Sequence, residues 1–98
     1  MIEQELTKLA QEITGKERPE EALGTALKGY LEQQVEGYQE VIRELEQKYG
    51  MSFEEFEKKL GQELTLSWEH ERDYMAWEEA VTNLQYFQRV AERLKTYA

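Results

Sequence analysis

Cysteine is absent from the 98 residues, and histidine and proline occur once each. The first absence excludes disulfides, thiolate chemistry and Cys-based zinc sites. Serine occurs only at positions 52 and 67. Each stands where a helix needs a cap, which leaves neither as a good nucleophile. No apolar run approaches the ~20 residues of a membrane span, and no basic-then-apolar leader opens the chain, so a soluble, cytoplasmic protein is expected. Positive charge is scarce too. Twelve Lys plus Arg face twenty-one Asp plus Glu, a net of −9. Nucleic acid and anionic lipid both need clustered positive charge to displace counterions, so neither is an expected partner. Glycine-rich phosphate loops, internal repeats and period-two alternation are missing as well. The length holds one domain, since a second compact core would need roughly 50 more residues.

Glu, Gln, Leu, Ala and Lys dominate what remains, and these side chains lose little rotamer freedom in helices. Ile2, Leu6, Leu9 and Ile13 draw one stripe along a helix over 2–14, closed by Thr14-Gly15. Pro19 suits the first turn of a second helix over 19–49, with Glu20 and Glu21 beside its positive end. Leu27, Leu31, Val35, Tyr38, Ile42 and Leu45 run along it as a heptad-like seam, continued by Tyr49 and stopped at Gly50. Gly24, Gly29 and Gly37 weaken it, and a break near Gly24 or Gly29 is one reading. Ser52 and Glu55 form a capping box for a helix over 52–63, carrying Phe53, Phe56 and Leu60. Ser67 or Thr65 caps a last helix over 67–97, with Trp77, Val81, Leu84, Phe87, Ala91 and Leu94 on one face. The expected fold is therefore all-α: four helices, one of them long, in a bundle. Residues 1–49 would dimerise and 50–98 would bind a partner.

The helix that carries this seam would span roughly 45 Å over its 31 residues. On the expectation that one short chain cannot cover it, the seam reads as the centre of a homodimer. Charge is also unevenly spread. Residues 32–79 hold fourteen acids against five bases, whereas 80–98 hold one acid against three bases. The acidic belt reads as solvated helix faces or as a surface that receives a basic partner.

Candidate chemistry is thin. On a helix, Glu69, His70 and Asp73 could present three ligands to one metal ion, but the plainer reading is a solvated first turn. All-helical nucleotide pyrophosphatases pair a Glu-x-x-Glu with a Glu-x-x-Asp. Glu54 and Glu57 match the first half, but His70 stands where the second needs an acid. No cofactor or metal is expected. The aromatics carry more. Tyr74 and Trp77 lie three residues apart on one face, Trp68 precedes them, and Glu71 and Asp73 stand beside them. Trp68, Glu71, Asp73, Tyr74 and Trp77 are thus the expected partner-binding residues, although rings of this size serve cores equally well.

Two stretches carry a resemblance. One comprises the turn Thr14-Gly15-Lys16 and the tail Ala26-Leu27 with Tyr30-Leu31, which resemble the helical part of ribbon-helix-helix antitoxins over about a quarter of the chain. Only five residues, Glu3 and Glu5 among them, precede Leu6. The resemblance therefore does not reach that family's DNA-reading strand. The second, from Tyr49-Gly50-Met51-Ser52-Phe53 through Trp68 to Trp77, is similar to small acidic helical proteins of prokaryotic toxin–antitoxin pairs. It implies a non-enzymatic protein that wraps a basic toxin. A structural or adaptor homo-oligomer is the alternative, and a metal-dependent phosphohydrolase built on 69–73 ranks third.

Overall fold

In a computed structural model of the protein, residues 2–97 are described, with Ile2 described in its backbone alone. Among them the chain forms α1 (Ile2–Thr14), α2 (Pro19–Tyr49), α3 (Phe53–Lys59) and α4 (Trp68–Lys95). The all-α expectation holds, and the described residues contain no strand, only an isolated bridge between Leu60 and Leu64.

The boundaries follow from local chemistry. Pro19 opens α2 with its fixed φ, and Gly50 closes it at φ 65°, its N–H bonding the Glu46 carbonyl at 2.7 Å. A left-handed residue at that position costs glycine little. The Ser52 hydroxyl accepts the Glu55 N–H at 3.2 Å and Ser67 accepts that of His70 at 3.0 Å, so Ser67 rather than Thr65 caps α4. α3 is shorter than the sequence suggests. Leu60 is extended and Gly61 takes φ 84°, after which the Gly61 N–H donates to the Leu64 carbonyl at 2.7 Å and the chain turns back. α2, by contrast, runs unbroken through Gly24, Gly29 and Gly37. Neighbours support it along its length: α1 packs on α2, and α4 lies along it as well as on α3.

Aromatic pairs give the register of α2 and α4. Tyr49 stacks on Trp77 at 6.1 Å and Tyr38 on Phe87 at 5.9 Å, so the helices run antiparallel. This register sets what lies against the seam within one chain. The seam is covered from within the chain, with Leu31 and Leu45 buried and Val35, Tyr38 and Ile42 partly so; only Leu27, at 44% exposed, lies open. A two-helix contact with α4 covers most of the seam, and it packs residues 1–49 against 50–98.

The core sits at one end. Leu45, Phe56 and Trp77 form it, with Tyr49, Phe53 and Val81 packed around them. The molecule measures 58 × 24 × 20 Å with a radius of gyration of 19.0 Å. A compact chain of this length would have about 13 Å, so this one is a rod. At the far end α1 turns an unexpected face inward. Its partly buried positions are Thr7, Ala10, Gln11 and Thr14, and α2 supplies the fully buried Ala22. The threonine hydroxyls donate to their own helix, to Glu3 O at 2.8 Å and Ala10 O at 2.7 Å, so they are satisfied there. The apolar stripe Leu6, Leu9 and Ile13 is more than half exposed.

Candidate functional site

Residues 65–79 divide into two faces. The inward face holds three of the five expected partner-binding residues. Trp77 is wholly buried, with Phe56 at 5.2 Å and Phe53 at 5.6 Å between ring centroids. It anchors the chain's own core and is not a surface for a partner. The physical reason is its register: from Asp73 through Tyr74, Trp77 and Val81, α4 faces α2 and α3. The indole Nε1 has no hydrogen-bond partner among the described residues.

Tyr74 is half-buried, its ring stacked on Phe53 at 5.6 Å and its hydroxyl donating to Glu57 Oε2 at 2.7 Å. Hydrogen bonding to Glu57, then to Glu78, pushes that phenol well above its ordinary range. Asp73 is spent on the scaffold as well. It accepts from the Tyr49 hydroxyl and from Lys48 Nζ, the latter at 2.6 Å, while the same ammonium meets Glu69 Oε1 at 2.7 Å. Burial raises the Asp73 carboxyl, but the bonds from Lys48 and Tyr49 outweigh it and hold it below the usual range. The Lys48 bond likewise lowers Glu69. Burial and then the bond to Asp73 push Tyr49 up to about 12.

The possible metal cluster comes apart in the same way. Lys48 stands between Glu69 and Asp73, and His70 Nδ1 lies 2.7 Å from the Thr65 carbonyl oxygen. Among the described residues no three acidic or histidine side chains gather to hold a metal ion.

The outward face is what remains for a partner. Trp68 is 81% exposed at the start of α4, and Glu71 is exposed one turn on. Sequence reasoning passed over Met75, which is 70% exposed. It follows Trp68 by seven residues, about two turns, and so lies on the same outer line. That spacing was legible. It was hidden because Tyr74 and Trp77, the larger rings, drew attention to the opposite face. Leu66 is exposed just before the helix, and Glu78 and Glu79 are exposed beside Met75. The surface thus sets an indole and a thioether among Glu71, Glu78, Glu79 and the exposed Arg72, none of which makes an ion pair among the described residues.

Searches against protein families, characterised proteins and solved structures find no match to this chain. The site's own geometry carries the functional argument.

Proposed function

We propose that this chain is a non-enzymatic helical protein that captures a basic protein on the outer face of α4, in the manner of the antitoxins it resembles. One observation carries the reading. Trp68 and Met75 are exposed on a single line of α4, inside the acidic belt, with Glu71, Glu78 and Glu79 around them. Tryptophan and methionine supply rigid and adaptable contact area, respectively, and the carboxylates steer a cationic partner into register. The residues that would serve catalysis are engaged elsewhere: Lys48 holds Glu69 and Asp73, and Ser52 and Ser67 cap helices. The arrangement favours binding over turnover.

The test is co-expression with the product of the neighbouring reading frame. The expected result is a co-purifying complex that relieves growth inhibition, lost on Trp68→Ala and weakened, most at low salt, by Glu71→Gln with Glu78→Gln. A neighbour product that is neither bound nor neutralised refutes the reading.

A further inference from the structure

The N-terminal end of the rod carries apolar surface that the partner-binding face of α4 does not use. Leu6, Leu9 and Ile13 form a raised stripe on α1, while its small and threonine side chains pack inward. On α2, Leu23 and Leu27 continue the buried seam of Leu31 and Val35 along an open groove whose other side is the last turn of α4 and the residues after it, with Leu94 and Tyr97. Stripe and groove suit each other. Three residues at i, i+3 and i+7 are the anchor pattern of a helix lying in a hydrophobic groove.

We infer that the occupant of this groove is the α1 stripe of a second copy of the chain. Area is the first argument. Leu6, Leu9, Ile13, Leu23, Leu27 and Tyr97 are between 44% and 85% exposed. Together they present roughly 700 Å², close to the ~800 Å² per partner of a stable interface. Neither stripe nor groove alone reaches that figure, so a pair that uses both faces of each chain is the arrangement that does. Continuity is the second argument, because the groove floor is the same seam that α4 already covers further along α2. Charge is the third. Glu3, Glu5 and Glu12 beside the stripe make no ion pair among the described residues, and neither do Lys16 and Lys28 on the groove's rim. The rim acids Glu21 and Glu92 are already answered within the chain by Arg18 and Lys95. A second copy therefore brings acids to the free lysines and a complementary Lys8 to the remaining rim carboxylates.

Sedimentation equilibrium on the full chain at micromolar concentrations tests this, with circular dichroism as the control for folding. The wild type is expected to be a dimer. Ile13→Asp removes the stripe and Leu27→Asp spoils the groove, each weakening the dimer at least a hundredfold with helicity unchanged. Leu23→Asp is the second groove variant should Leu27→Asp perturb the fold. Mixing the Ile13→Asp and Leu27→Asp chains should restore pairing, weaker than wild type, because each retains the face that the other has lost. Trp68→Ala should leave the dimer intact, which separates this interface from capture of a basic protein. A monomeric wild type overturns the inference, as does a dimer that survives both changes. Dissociation with no recovery on mixing also overturns it, since stripe would then meet stripe or another partner.

Discussion

The Tyr49 hydroxyl donates to Asp73 Oδ2 across the junction of α2 and α4, and Lys48 Nζ reaches the same oxygen. Both carboxylates of this network are held below their ordinary values of 3.8 for Asp73 and 4.5 for Glu69. A depressed acid stabilises the fold above its unfolded pKa and loses that contribution as pH falls through the folded value. Tyr49 acts on the other flank. Its pKa is raised from 10.0 to about 12, so its contribution is present below 10.0 and is lost as pH climbs through that interval. The urea midpoint should therefore fall at both extremes. In Asp73→Asn the acid limb should flatten, and the Tyr49 phenol should ionise at lower pH by ultraviolet titration. An Asp73→Asn acid limb as steep as the wild type's refutes the assignment.

Trp77 is where the core is most exposed to damage. Trp77→Ala should cost about 3–5 kcal/mol by urea unfolding, enough to leave little folded protein, because a void replaces the largest buried ring. Trp77→Phe should cost much less than that. It keeps most of the packing and removes a buried N–H that has no acceptor among the described residues.

Trp68 should behave in the opposite way. Trp68→Ala and Met75→Ala lie on an exposed helix face and should change stability by no more than about 0.5 kcal/mol. Loss of binding to the basic partner with an unchanged melting temperature is the expected result. A destabilised Trp68→Ala would mean that its ring packs on this chain after all.

Two glycines give contrary expectations for one substitution. Gly37 lies within α2, and a Cβ there would meet nothing within 4 Å. Gly37→Ala should stabilise by about 0.5–1 kcal/mol, since alanine loses less chain entropy. Gly61 has φ 84° in the turn after α3, where a Cβ would also come 3.5 Å from Leu66. Gly61→Ala should destabilise by about 1 kcal/mol, because the left-handed region is strained for a residue with a Cβ. Chemical denaturation of both variants checks the pair.

Helix positions were legible because each stop is written in one or two residues: Gly15, Pro19, Gly50, and serine at 52 and 67. The end of α3 was not, since Leu60 continues the apolar pattern while Gly61 already imposes the turn. Burial was harder to read. Periodicity gives an apolar stripe and says nothing about what covers it. Along α2 the seam met α4 of the same chain, whereas on α1 the stripe met nothing and threonines faced inward. Asp73 carried the same ambiguity. Its acidic neighbours suggested a docking surface, and only the fold brings Lys48 and Tyr49 to it from across the chain.

The placement of the core at one end of a rod has a kinetic meaning. Backbone amides near Leu45, Phe56 and Trp77 can exchange with solvent only when most of the molecule opens. Those of α1 belong to a helix with no fully buried side chain among the described residues and are released by a local opening that leaves the aromatic cluster shut. Hydrogen exchange in the monomeric Ile13→Asp chain should therefore be graded along the long axis, fast at Leu9 and slow at Trp77. In the monomer α1 is the part of the molecule that lets go first.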